Sequence, residues 1–383
     1  MPTDVSIVAC DSYEEAACRQ ALIQVLAPLG GLDWVTPGMR VVVKVNLVAA
    51  MKPEQAATTH PVLLCALTDL LRERGASVVL GDSPGGLYNA AYVGHVYDAA
   101  GLHICEQHGA VLNDDFSQAE ANDPNAVCAK HFTYTKYLDQ ADAIIDFCKL
   151  KSHGMMGMSN AAKNFFGVIP GTMKPEYHYK YPKIEDFANM LVDLAEHFKP
   201  RLCICDAVVG MEGNGPTAGT PRKIGALAAG ISPHRLDLAC ASLLGLGMND
   251  VPTLKAAFDR GLIPASVSEL TVSGELSGFS VPDFDTPKAQ GAANFRIGNN
   301  WLLQQVAGVI VSSVMTPKPK VAPSVCIGCG KCANICPAKA ITMQDRLPHI
   351  DRKKCIRCFC CQEFCPKGAM YVHRSLIARI LNR

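Results

Sequence analysis

A cysteine pattern written twice near the end of the chain constrains its folding more than any other feature. Cys326-x-x-Cys329-x-x-Cys332-x-x-x-Cys336-Pro337 is followed by Cys355-x-x-Cys358-x-x-Cys361-x-x-x-Cys365-Pro366. Three thiols two residues apart wrap a tight turn around one compact centre and leave backbone N–H groups free to reach inward. The proline after each fourth cysteine ends the loop and turns the chain away.

This is the cysteine run of bacterial two-cluster ferredoxins, in which the fourth cysteine of each copy ligates the other copy's cluster. The crossed assignment places one [4Fe–4S] cluster on Cys326, Cys329, Cys332 and Cys365, and the second on Cys355, Cys358, Cys361 and Cys336. Zinc is the rival for paired Cys-x-x-Cys segments, but eight cysteines in this duplicated frame suit it poorly. Cys360 stands off the pattern and reads as a spectator.

The other nine of the 18 cysteines are scattered without a repeating spacing, several inside apolar runs where a reduced cysteine acts as a small hydrophobe. With a polar, acidic start instead of a signal peptide, this predicts a reducing cytoplasm and no disulfide framework. Oxygen-sensitive clusters would suit an anaerobic host. No apolar run is long enough for a transmembrane span; Trp301 to Met315 comes nearest and reads as a buried helix or strand. The overall net charge of +1 hides a split. From Pro317 onward there are thirteen Lys and Arg against three acids, which leaves the rest of the chain net acidic. Part of that positive charge offsets the anionic clusters. The remainder suits docking on the acidic body or an acidic electron donor of ferredoxin or flavodoxin type. Nucleic acid is not expected, because no aromatic-interleaved basic surface accompanies the charge. Oligomeric state is left open.

Four segments follow from composition: an α/β body at 1–316, in one or two lobes; a Pro/Lys linker at 317–323; a cluster module of ferredoxin-like α+β type at 324–371; and a basic amphipathic tail helix at 372–383. Within the body, strand signals at Val41–Val45, Ser77–Leu80, Ala143–Phe147, Leu202–Cys205, Ile224–Ala229 and Leu270–Val272 alternate with helix signals at Pro61–Gly75 and Pro233–Leu244. That alternation predicts a mainly parallel sheet with helices on both faces.

Ligands of open parallel sheets bind beyond the carboxyl ends of the strands. Polar residues gather after each predicted strand: Lys44 and Asn46; Asp82, Ser83, Gly85 and Gly86; Lys149, Lys151 and His153; Asp206, Glu212, Gly213 and Gly215. Asp82 and Asp206 read equally well as helix caps. Lys149 and Lys151, two apart on an extended segment, point to one side. With Lys163, Asn164 and Lys174 in a glycine-rich setting, they suggest a pocket for a small phosphate or carboxylate. His153, His178 and Glu212 are the candidate proton donors, and Tyr177, Tyr179 and Tyr181 a candidate cleft wall or lid.

Lys149-x-Lys-x-His153 through Lys163-Asn164-Phe-Phe-Gly167-x-Ile-Pro-Gly171, Asp206 through Gly213-x-Gly215-Pro216, and Asp237 closely resemble the domain of unknown function 362 family, whose members are often fused to a two-cluster ferredoxin. The resemblance spans roughly Gly38 to Leu246 plus the C-terminal module. It implies an iron–sulfur protein of redox function and supplies neither substrate nor catalytic residues.

Three functions fit these residues. The first is a ferredoxin-fed reductase of a small anionic substrate, with a flavin conceivable as a one- to two-electron converter although no flavin motif is present. The second is a non-enzymatic electron-transfer subunit with the lysine-rich loop as interface. The third is a maturation factor, with His60, His153, His178 and the body cysteines as candidate metal ligands. The polar groups at the strand ends favour the reductase.

Overall fold

The computed structural model describes residues 2–286 and 317–373. Trp301–Met315 and the tail beyond His373 lie outside the described residues.

The strands of the body are β1 (Val5–Ala9), β2 (Arg40–Lys44), β3 (Ser77–Gly81), β4 (Ala110–Leu112), β5 (Gln118–Asn122), β6 (His131–Thr135), β7 (Ala143–His153), β8 (Gly157–Ser159), β9 (Leu202–Glu212), β10 (Thr220–Gly230) and β11 (Val272–Ser273). The main sheet has the order β11-β1-β10-β9-β7-β2-β3-β4, with β8 attached to β7, and β5 and β6 form a separate hairpin. Five neighbouring pairs of the main sheet are parallel, and the pairs of β10 with β1 and β9 and of β7 with β8 are antiparallel. A mainly parallel sheet was expected from the sequence, and it is present.

The helices are α1 (Glu15–Leu26), α2 (Pro61–Glu73), α3 (Ala90–Ala100), α4 (Ile104–Gln107), α5 (Ala161–Asn164), α6 (Lys174–Lys180), α7 (Ile184–Phe198), α8 (Pro233–Leu243) and α9 (Pro252–Asp259). They cover both faces because strand side chains alternate. Val41, Val43 and Val45 pack with α1, α2 and α3, whereas Val42 and Val79 pack with Phe165, Phe187 and Leu191 on the other face. Helix α2 starts where its sequence dictates: Pro61 supplies a preset φ at the first turn, and His60 Nδ1 accepts from the Val62 N–H.

β2 lies between β3 and β7. The chain runs from β2 through α2 to β3 on one side, and later returns to β7 on the other. This reversal of strand order opens the crevice in which α/β sheets hold ligands. Strands β7 and β9 are longer than their apolar cores at Ala143–Phe147 and Leu202–Cys205. Both run on beyond them, and the extension of β7 carries Lys149, Lys151 and His153. Pairing on both sides, with β9 and with β8, keeps that segment extended although its side chains read as loop.

The module contains β12 (Lys318–Val321), α10 (Lys331–Asn334), β13 (Ile341–Gln344), β14 (Leu347–Ile350), α11 (Cys360–Glu363) and β15 (Met370–His373). Lys318–Val321, inside the stretch expected as a linker, pairs antiparallel with β15 and is tied into the module by that ladder.

Buried lysines beneath the cluster module

In the module, Cys326, Cys329, Cys332 and Cys365 line one pocket together with Ile327, Met343 and Met370. Cys361 lies near Cys358, Cys355, Cys332 and Cys336, and Cys355 near Cys358 and Cys336. Four thiols thus share one pocket, and such a donor set fits a cubane cluster. Cys360 is fully buried beside Cys358 and belongs to neither set.

At the switch point, Lys44 Nζ lies 2.8 Å from Asp82 Oδ1 and donates to Val45 O at 2.7 Å. Asp82 Oδ2 accepts from Leu47 N at 2.7 Å, so the loop after β2 is clamped to the end of β3. Asn164 stands between the strands: its Oδ1 accepts from Asn46 Nδ2 at 2.7 Å and its Nδ2 donates to Asp146 Oδ1 at 2.6 Å. Asn46 Oδ1 in turn accepts from Lys151 Nζ at 2.7 Å. Buried charges persist only when paired in this way. Asp146, which the sequence did not single out, is fully buried, and burial pushes its carboxyl well above the ordinary value.

Lys149 enters a second, closed network. Its Nζ lies 2.7 Å from Asp206 Oδ2 and 2.8 Å from Tyr13 OH. Tyr13 OH donates to Asp206 Oδ1 at 2.9 Å, and its ring stacks on His60 at 3.5 Å. His60 also gives its backbone N–H to Asp206. Lys149 and Asp206 thus neutralise each other and fix the loop before α2. His60 is stacked there, apart from His153 and His178.

The motif glycines are places of close approach. A Cβ on Gly167 would lie 2.1 Å from Asp82 Oδ1, and one on Gly171 would lie 2.2 Å from Pro84 O. Ser83 N donates to Gly167 O at 3.0 Å, and Lys174 Nζ donates to Ser83 O at 2.7 Å. The loop holding Gly85 and Gly86 is therefore stitched to the segment before α6. Asp237, on α8, accepts from the N–H groups of Ala161 and Ala162 at 2.8 and 3.2 Å and so places α5, which carries Lys163 and Asn164.

The module closes over this arrangement. Gln362 Nε2 donates to Asn214 O at 2.8 Å and Gly215 O at 3.1 Å, and Thr217 Oγ1 donates to Glu363 O at 3.1 Å. Phe359 packs with Met155, Met156 and Phe165, and a Cβ on Gly85 would lie 2.8 Å from the Phe364 ring. Gly213 and Gly215 serve this seam: Gly213 O accepts from Ser152 Oγ, and a Cβ on Gly215 would lie 2.3 Å from Ser152 O. Glu212 does not join the lysines. Its Oε2 accepts from Asp285 N, and its other oxygen faces Arg222.

Glu363, from α11, reaches into the body. Its Oε1 lies 2.8 Å from His153 Nε2, an ion-pair distance without hydrogen-bond alignment, and neither atom has a hydrogen-bond partner among the described residues. His153 Nδ1 accepts from the N–H groups of Met155 and Met156, both at 3.1 Å, which leaves the ring proton on Nε2. Burial and then the nearby Lys163 bring His153 down to about 4; burial brings His178 down to about 3. Burial thus favours the neutral form of both histidines, which the sequence offered as candidate proton donors. Burial alone would raise the Glu363 carboxyl, but the His153 contact, Lys163 and His178 outweigh it and hold the carboxyl at about 2.

Lys163 is the group left over. Its Nζ has no hydrogen-bond or ion-pair partner among the described residues and lies 5.7 Å from the Phe166 ring centroid. Burial lowers its pKa, against the pull of Glu363 and Asp82. Burial also brings Lys151 and Lys174 down to about 7. Ser83 Oγ and His178 Nδ1 are buried without partners. Of the tyrosines, Tyr177 and Tyr181 are buried in the α6–α7 core and Tyr179 is exposed. Glu363 was legible in advance only as the single acid inside the second cysteine run; Tyr13 and Asp146 gave no signal.

Residues 41–242 match the domain of unknown function (DUF362), and residues 325–369 match a 4Fe-4S dicluster domain. A thylakoid-associated protein of Synechocystis sp. is 34% identical over 282 residues, which cover 71% of this chain and 83% of that protein. Among solved structures, the lactate racemase apoprotein of Thermoanaerobacterium thermosaccharolyticum aligns with a TM-score of 0.39 at 12% identity, over 64% of this chain and 58% of that one. A protein of Thermotoga maritima aligns with a TM-score of 0.38 at 14% identity, over 63% and 61%. The chain thus spans less than two thirds of either structure, and neither likeness carries a functional argument. Among the described residues, no helix is long and apolar enough to cross a membrane. The chain belongs to the domain of unknown function 362 family and carries a C-terminal 4Fe-4S dicluster domain, an iron–sulfur electron-transfer module.

Proposed function

We propose that the chain is an iron–sulfur reductase whose small anionic substrate binds at the strand ends, between the body lysines and the module. The observation that carries this reading is the place of Glu363. It stands two residues from Cys361 and two from Cys365, which belong to different crossed sets, and its carboxylate lies 2.8 Å from His153 of the body. A group bound at this point is within a few residues of both thiolate centres.

When bound, the two clusters supply one electron each. A two-electron reduction of the anion also takes two protons. Lys163, with a lowered pKa and no hydrogen bond or ion pair among the described residues, binds the anion and gives it one proton; a second comes from Lys174 or from solvent. His153 orients and stays neutral. A flavin would show as bands in the visible spectrum of the purified protein.

Electrons enter at the far side. Cys329 is exposed, as are Lys331, Arg346 and Lys367 around the pocket of its set. This basic rim suits an acidic donor of ferredoxin or flavodoxin type. Nine free thiols in the body, eight of them buried, suit a reducing cytoplasm.

The test is anaerobic stopped-flow. Protein reduced with dithionite, then freed of it, is mixed with small anionic oxidants such as 2-oxo acids and enoates. Recovery of the cluster band near 400 nm in the wild type, and its loss in Lys163→Met, supports the reductase. If no anion accelerates recovery over buffer, the reading fails and an electron carrier remains.

A further inference from the structure

The module has three acids. Asp345 and Asp351 are exposed, while Glu363 is turned inward, its side chain 14% accessible. The groups it meets there are those of an anion site. His153 brings Nε2 to 2.8 Å of the carboxylate; among the described residues Lys163 Nζ makes no hydrogen bond or ion pair, and the buried His178 Nδ1 has no partner. Lys44, Lys149, Lys151 and Lys174, by contrast, are engaged by protein oxygens. One carboxylate is thus supplied to the groups that would receive a ligand, and it arrives from the C-terminal module, not from the sheet that carries those groups.

We propose that the Glu363 carboxylate occupies the seat of the ligand's own carboxylate, so that this place takes a small carboxylic acid and the ligand enters by displacing the glutamate. This rests on the reading of these groups as an anion site and narrows it to a class. Glu363 fits as a carboxylate does: one oxygen lies against His153 Nε2, while Lys163 balances the charge. Docking does not need this contact. Gln362, Thr217, Asn214, Phe359 and Phe364 hold the module through hydrogen bonds and packing that do not involve the Glu363 side chain. The carboxylate can therefore leave its place while the seam around it persists. A tethered carboxylate competes at a high effective concentration, on the order of millimolar or above, so it lowers apparent affinity and rejects weak anions.

Anaerobic calorimetry on the holoprotein, with propionate as the probe and inorganic phosphate beside it, tests the inference. Glu363→Gln keeps size and hydrogen-bonding capacity and removes the charge; Glu363→Ala empties the seat. Both are expected to bind propionate at least about tenfold more tightly than the wild type, and adding Lys163→Met to either is expected to abolish the gain. Iron content and resistance of the seam to limited proteolysis show that the module stays docked. If both variants keep iron and docking yet bind propionate no more tightly, Glu363 is only a strut and the inference is overturned. If phosphate gains and propionate does not, the carboxylate class is overturned. These outcomes are separate from turnover. Reoxidation by anions without a gain in the Glu363 variants sinks this inference and leaves the reductase standing; a gain without any reoxidation does the reverse.

Discussion

Lys44 Nζ and Asp82 Oδ1 lie 2.8 Å apart against the α-carbon of Gly167, with no room for even one further methyl group. Both side chains are almost wholly buried. The contact joins the ends of β2 and β3 to the segment after α5, so three separate parts of the sequence meet over one ion pair.

Gly167→Ala should therefore be costly. Its Cβ would fall 2.1 Å from Asp82 Oδ1 and 2.5 Å from Lys44 Nζ. Forcing a buried pair apart costs on the order of 3 kcal/mol or more, to be seen as a clear drop in the melting temperature of the full-length holoprotein. Gly94→Ala, on α3 with nothing within 4 Å of the new methyl, is the control. It should be neutral or stabilising by up to about 1 kcal/mol.

The crossed cysteine sets predict which substitutions behave alike. Cys365→Ser and Cys326→Ser should each lose about half the iron and leave the same residual EPR spectrum, because both disrupt one cluster. Cys361→Ser and Cys336→Ser should share the other residual spectrum. Pairing of Cys365 with Cys361 instead would show an uncrossed arrangement.

Anion binding should depend on pH with a definite sign. Burial holds Lys151 and Lys174 at about 7 in the free protein. A bound anion favours the charged lysines and raises both values, so binding takes up protons. Affinity for propionate should then fall as pH rises from about 7 to about 9, by up to roughly tenfold per unit for each lysine that titrates. Calorimetry of Glu363→Ala in buffers of different ionisation heat measures the uptake. Affinity independent of pH over that range would remove both lysines from the binding equilibrium.

Reduction by an acidic ferredoxin should be sensitive to salt. The thirteen basic residues from Pro317 onward, several of them exposed near Cys329, steer such a donor only within a Debye length, about 10 Å at 0.1 M ionic strength. The second-order reduction rate should fall steeply between about 0.02 M and about 0.5 M salt. A Lys331→Glu, Lys367→Glu double variant should be slower at low salt and nearly equal to wild type at high salt. A rate insensitive to both would place electron entry elsewhere.

Cysteine spacing determined the cluster module by itself, because ligand geometry around a cubane is local and tolerates little variation. Alternation of apolar runs with helix signals determined the parallel sheet, because hydrophobic period is a local property too. The lysines and Asn164 were legible as an anion-seeking group, yet their division was not. Only the fold decided that Lys149 is cancelled by Asp206 and hydrogen-bonded to Tyr13, while Lys163 makes no hydrogen bond or ion pair among the described residues. The end of β7 reads as a loop because sequence pattern shows polarity, not the neighbouring strands that satisfy the backbone. Glu363 is the clearest case. It is 210 residues from His153 in the chain, and the 2.8 Å between them exists only because the module packs on the Asn214–Thr217 loop. Long-range charge pairing is set by where elements dock, and docking is a sum of contacts that no local spacing records.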